Sequence, residues 1–424
     1  MKFLKHLQVI AIIHGGAYIE GSASDVAQNA EPLAGVEDVI VVSFNYRLGI
    51  FGFADMNGLA PGNLGLHDQR LALKWIQDHI ADFGGDPKRV TIIGLSAGSM
   101  AVAAQIISTA DKSDLFQAAV LDAGVATSHG FLETSESSFS RVKKVAEAVG
   151  CSSDNILECL RQSPVSKLIS GSHEQSGTSG LKSFVPTSDG VFLPEDAQDY
   201  IAKNPADIRK VRTIVGYSRD EGSMFVGLVD PHFNFTAKRT DDEILDYLEK
   251  ISRKYNFPFD ASDEQTRQKL RQVYIGDHGS AFRAVQSLMA DGWFKCPINS
   301  FIKQSSRHNE KVFAYQFERV LSRTYYKKFD PKLLGAFHVS AYMHFSGSLF
   351  LDGEAVPEAD KQFALDTMKL ISNFAKSDGN LKFRGVEWPS YSKAGEVLIF
   401  DEKPAVRKEL ASESNCREVF PSDR

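Results

Sequence analysis

The sequence predicts an α/β protein: a mostly parallel sheet covered by helices on both faces. Short β-rich apolar runs alternate with stretches of helical periodicity through the first half of the chain. Strands separated by helices pair in parallel, because each crossover returns the chain in the same sense. Further β-rich runs recur towards the C-terminus, and no internal repeat or low-complexity linker divides the chain. At 424 residues it exceeds the usual size of a single core. One domain over 1–424 is expected, with 240–290, charged and interrupted, as a helical insertion.

Taken in order, the first strands are expected at 8–13 (QVIAII), 39–44 (VIVVSF) and 90–93 (VTII), each bounded by turn residues. Leu66, Leu71, Leu73, Ile76 and Ile80 recur at roughly helical spacing between the second and third, and Gly84-Gly85-Asp86-Pro87 stops that helix. A strand at 118–121 is followed by a Ser-rich stretch and a helix at 140–149. Strands are expected again at 211–217, 311–318 and 396–400.

Bulk properties exclude several classes. A net charge of −6 without a Lys/Arg run gives no case for nucleic acid. No segment reaches the roughly 18 apolar residues of a membrane span, and the polar C-terminus carries no lipid-anchor pattern. The four cysteines lack zinc-ligand and C-x-x-C spacing, so neither metal nor redox chemistry is indicated. Cys151 and Cys159 stand close enough to bridge across a short loop, and a Cys296–Cys416 bond would tie the tail to the body. With the NFT sequon at Asn234, this points mildly to an oxidising, extracytoplasmic setting.

The motif carrying the most chemistry is GLSAG at 94–98, of the form G-x-S-x-G. It follows VTII directly and opens a small-residue helix, the strand–turn–helix context of a nucleophile elbow. The bland alternative is a glycine turn whose serine caps the helix. A nucleophile of this kind needs backbone N–H donors for an oxyanion. That requirement bears on the opening, VIAIIHGGA. Lys2 and Lys5 before an apolar run would suit a signal peptide, but the run is short and broken by Gln8. A strand feeding an H-G-G donor loop is the better reading.

Three long stretches, HGGAYIEGS, NYRLGIFGF and the run from APGNLGLHDQR to IIGLSAGS, closely resemble the type-B carboxylesterase/cholinesterase family of α/β-hydrolases. The resemblance continues through SRDEGSMF, GAFH and NFAKSDGNL, across nearly the whole chain. It implies a serine esterase acting on a small-molecule ester, with no cofactor. By matching motifs, Ser96 is the nucleophile, Glu221 the triad acid and His338 the base. Gly16, Ala17 and Ala97 supply the oxyanion donors. The family's second and third disulfides fall on Cys151–Cys159 and Cys296–Cys416. Family members are secreted, and begin with a signal peptide and several strands. This sequence starts at the oxyanion strand, so an N-terminally truncated form is expected.

From the residues alone, Asp220 rivals Glu221, because neighbours on an extended segment point to opposite sides and only one can face an imidazole. His232, His278, His308 and His344 rival His338. Two positions depart from the family pattern. Leu95 precedes the nucleophile where cholinesterases carry an acid, which argues against choline esters, and Ala341 stands where an acid follows the catalytic histidine. Two other functional readings compete with the esterase: a catalytically silent binding or adhesion protein of the same fold, and a truncated product that folds incompletely.

Overall fold

The computed structural model describes residues 6–110, 114–152, 155–176, 184–276, 280–322, 331–351, 353–377 and 379–421. Its strands are β1 (Leu7–Ile13), β2 (Val39–Phe44), β3 (Gly85–Leu95), β4 (Ala118–Asp122), β5 (Arg212–Ser218), β6 (Val312–Phe317), β7 (Leu381–Phe383), β8 (Val386–Trp388), β9 (Val397–Phe400) and β10 (Ala405–Arg407). Eight of them form one sheet in the order β10-β9-β6-β5-β4-β3-β1-β2, and β7 and β8 pair as a separate hairpin. Every pairing in the large sheet is parallel except that of the edge strand β10 with β9. This is the predicted architecture, and β2 occupies its predicted 39–44.

The opening run lies inside the sheet. Val9 to Ile13 are buried between β2 and β3, with Ile10 opposite Val41 on one side and Thr91 on the other. β-Branched side chains suit a strand covered on both faces. β3 starts earlier than predicted. The preceding helix Leu64–His79 ends in one 3₁₀ turn and a left-handed Gly84, and Gly85 already pairs with Leu7 across a register shift. The helix predicted at 140–149 instead begins at Ser135, because Thr134 caps it by accepting the Ser137 N–H at 3.2 Å.

Residues 240–290 carry the helices Asp241–Lys254, Glu264–Leu270 and Ala281–Ala290. The last is mostly buried and packs on the helix Ser223–Val229, close beside Glu221. A Cβ at Gly222 would lie 1.9 Å from the Gln286 carbonyl oxygen, so the turn holding Glu221 is seated directly on this helix.

Both disulfides are present, Cys151–Cys159 closing a separation of 8 residues and Cys296–Cys416 one of 120. Loop-closure entropy makes the longer link worth about 5 kcal/mol and the shorter about 2.5. The double variant Cys296→Ala/Cys416→Ala is therefore expected to lower the urea midpoint about twice as far as Cys151→Ala/Cys159→Ala. Equal shifts would show that native contacts of the tail, rather than the covalent link, hold it in place.

Candidate active site

Ser96 sits between the end of β3 and the helix Ala97–Ile107 at φ 58°, ψ −126°, a conformation that costs a residue with a side chain roughly 1–3 kcal/mol. Neighbours force it there. The Ser96 N–H donates to the Asp122 carbonyl at 2.9 Å, and the Ser96 carbonyl accepts the Met100 N–H at 2.9 Å. The flanking glycines are needed for close approach. A Cβ at Gly94 would lie 2.2 Å from the Gly98 oxygen, and one at Gly98 would lie 2.1 Å from the Ile13 oxygen. The Ser96 hydroxyl does not cap the helix; it is partly exposed on a cavity.

The loop after β1 approaches from the other side. A Cβ at Gly15 would lie 3.3 Å from Ser96 Cβ, so this backbone rests on the serine. Gly16, Ala17 and Tyr18 follow at φ 114°, 52° and 63°, three successive left-handed residues. The buttresses are local and aromatic. Tyr46 stacks on His14 at 4.3 Å and donates its hydroxyl to the His14 carbonyl at 2.7 Å. The Gly15 N–H donates to the Gln28 side chain. Among the described residues, the N–H groups of Gly16 and Ala17 have no protein acceptor. Ala97, the first residue of its helix, has no intrahelical acceptor for its own N–H. Buried donors are rarely left unpaired. Three around one serine describe a place where an acceptor oxygen can sit.

Glu221 is fully buried, and its Oε2 lies 2.5 Å from Nδ1 of His338. Its Oε1 accepts the Ser218 N–H at 2.6 Å. The imidazole lies between the rings of Phe225 and Phe294, with centroids 4.9 and 4.8 Å away. Asp220 turns the other way, to Arg219 at 2.7 Å and the Ala336 N–H at 2.9 Å. The two acids diverge as expected, for a different reason. β5 has ended at Ser218, Asp220 forms an isolated parallel bridge with Phe337, and Glu221 lies in the turn that leads into the helix Ser223–Val229.

One neighbour is absent from the sequence reading. Asp122, at the end of β4, is buried beside Glu221 and accepts the Tyr315 hydroxyl at 2.5 Å. Burial, and then the Glu221 carboxylate, push its carboxyl well above the usual range.

Ser96, His338 and the Gly16–Ala17 loop share a cavity of about 530 Å³, walled by Phe131, Met224, Phe225, Leu228 and Met343, with Glu20 and Asp25 also lining it. The rival histidines lie elsewhere or are enclosed. His232 is exposed, His308 lines a different cleft, and His278 lies outside the described residues. No described group of His, Cys, Asp and Glu could hold a metal ion, and no described helix is long and apolar enough to cross a membrane. Asn234 is exposed, its side-chain oxygen accepting the Thr236 N–H at 3.1 Å.

His344 is fully buried against Phe317 and Phe363, and its Nε2 has no partner among the described residues. Burial pushes its imidazole down from 6.5 to about 4. The unfolded chain therefore takes up this proton at a higher pH than the folded one. Stability is whole above pH 6.5 and is lost as pH falls towards 4, by about 3 kcal/mol at the lower end. His344→Phe is expected to flatten the pH dependence of Tm between 6.5 and 4; an unchanged slope would locate the acid sensitivity elsewhere.

Comparison with known proteins identifies the family. The model of the "Carboxylesterase family" matches residues 2–417. An acetylcholinesterase of Danio rerio is 34% identical over 316 residues, 72% of this chain and 49% of that protein. The human cocaine esterase is 32% identical over 417 residues, 96% of this chain and 70% of that protein. Cholinesterase 1 of Branchiostoma lanceolatum is 33% identical over 346 residues, 78% of this chain and 94% of that protein. The chain thus spans about half the length of the Danio protein. A family match across nearly every residue, joined to a parallel sheet with a strained serine turn at the end of a central strand, makes this chain a member of the carboxylesterase family with its α/β-hydrolase fold.

Proposed function

We propose that the chain is a carboxylic-ester hydrolase that works through a Ser96 acyl-enzyme. The observation that carries this is the convergence of Ser96, the Glu221–His338 pair and three unpartnered N–H groups on one cavity. With Glu221 accepting the proton at Nδ1, the imidazole presents Nε2 as a lone pair and takes the Ser96 proton as Oγ attacks the ester carbonyl. The N–H groups of Gly16, Ala17 and Ala97 stabilise the tetrahedral oxyanion, each worth about 3 kcal/mol when well aimed. His338 then protonates the departing alcohol, and water, deprotonated by the same imidazole, releases the acid.

The cavity walls favour an apolar acyl or alcohol group, and its carboxylates disfavour anionic esters. Leu95 stands where the family pattern of cholinesterases has an acid, and this directs the proposal to uncharged esters rather than choline esters. Secretion belongs to the same proposal, with a glycan on the exposed Asn234. The test is labelling of the folded chain with a fluorophosphonate, read by peptide mass mapping. Label confined to Ser96, and absent in Ser96→Ala, is the expected result. A chain that unfolds cooperatively yet takes no label would make this a silent binding protein, and one without a cooperative transition would be an incompletely folded product.

A further inference from the structure

The end of the sheet remote from Ser96 carries a second concavity, of about 820 Å³, with a different chemistry. It lies at the N-terminal ends of the central parallel strands, with Lys88 and Arg89 on β3, Arg212 opening β5 and Lys311 just before β6. Seven lysines and arginines line it against one acid, Glu310, in a chain whose net charge is −6. The positive charge is therefore concentrated here against the trend of the whole molecule.

Part of this charge has a structural use. The helices Cys296–Ser306 and Glu358–Lys376 end at this cleft, and their last carbonyls attract cations. Arg212 donates to the Phe374 carbonyl at 2.9 Å and Arg89 to that of Lys376 at 2.9 Å. Lys210 meets Asp114 at 3.2 Å, and Lys376 meets Glu37 at 3.7 Å. These contacts hold the floor rigid without accounting for the excess. Lys88 and Arg307 are exposed, and neither side chain has a partner among the described residues. Lys88 caps no helix, and Arg307, the C-cap residue of Cys296–Ser306, caps it through its backbone N–H and not through its side chain.

The lining also limits what can bind. It contains no Phe, Tyr or Trp, so it offers no platform for stacking a nucleic-acid base. Val90 and Ala375 are its only aliphatic residues of note, too small to anchor a peptide side chain. Its concavity suits a narrow chain better than a flat bilayer. The two disulfides place the protein in an oxidising setting. We propose that this cleft docks a sulfated polysaccharide, whose sulfates pair with the outer cations, while the Ser96 cavity at the opposite end stays open. The binding holds the protein to a matrix and does not depend on the hydrolytic reading.

The experiment measures binding of a fluorescein-labelled heparin octasaccharide to the full chain at increasing salt, with Lys88→Glu/Arg307→Glu as the variant. The wild type is expected to bind, with affinity falling steeply as salt rises. The variant should bind at least about tenfold more weakly, with an unchanged Tm and unchanged p-nitrophenyl butyrate hydrolysis. Desulfated oligosaccharide should not compete. Equal binding by variant and wild type would overturn the proposal, as would no binding at physiological salt. So would tighter capture by a poly-glutamate peptide or by phosphatidylserine vesicles than by the octasaccharide. Tm serves as the folding control even if the chain hydrolyses nothing, so failure of the docking site and failure of the esterase proposal remain distinguishable.

Discussion

Ser96→Ala is expected to lower kcat/KM for p-nitrophenyl butyrate by about 10⁴- to 10⁶-fold while Tm stays constant or rises slightly. The size follows from the role proposed for Oγ, since without it no acyl-enzyme forms and only binding and the oxyanion donors remain to act on attacking water. The small stability effect follows from the position. The Ser96 hydroxyl caps nothing, and the φ of 58° is imposed by backbone contacts that alanine keeps. Fluorophosphonate labelling should vanish in parallel. A variant that keeps more than about a tenth of wild-type turnover would remove Ser96 from the mechanism and move the search to another nucleophile.

Glu221→Gln is expected to reduce kcat about 10⁴-fold with little change in KM. The carboxylate is fully buried, 2.5 Å from the His338 Nδ1, and receives the Ser218 N–H on its other oxygen. A glutamine amide fits the same space but can turn its NH₂ towards the ring. That stabilises the tautomer protonated at Nε2, which cannot accept the Ser96 proton, and it also removes the charge that balances the imidazolium. Asp220→Asn is the control, because Asp220 faces Arg219 and the Ala336 N–H rather than the imidazole. It should cost stability and leave kcat/KM within about tenfold of the wild type. A reversal of the two results would make Asp220 the acid, despite the geometry.

The contrast between these two acids shows where sequence reasoning reaches its limit. Periodicity located the strand leading to them, because burial on both faces selects an apolar run whatever the rest of the chain does. It could not settle their directions, since the strand stops at Ser218; a bridge to Phe337 then places Asp220, and a turn seated on the helix Ala281–Ala290 places Glu221. Asp122 was invisible for a similar reason. It closes an ordinary strand, and only the pairing of β4 with β5 brings it beside Glu221 and under Tyr315. Phe294 over the imidazole, and Gln28 and Tyr46 behind the Gly16–Ala17 loop, are likewise contacts between distant segments.

What the sequence determined by itself is what depends on local backbone chemistry. It set the order of strands and helices, and the glycine-flanked serine that only a sharp turn accommodates. It also set the H-G-G loop that can adopt left-handed conformations, and the order of serine, acid and histidine. Tertiary structure alone decided which acid meets which histidine, and which N–H groups stay unpartnered around Ser96. It also gathered cations scattered from Lys88 to Lys376 into one cleft at the far end of the sheet. Distance and burial belong to the packed chain. Hydrogen-bond competition and charge screening depend on them, and residues far apart in sequence acquire them only when the parallel strands align.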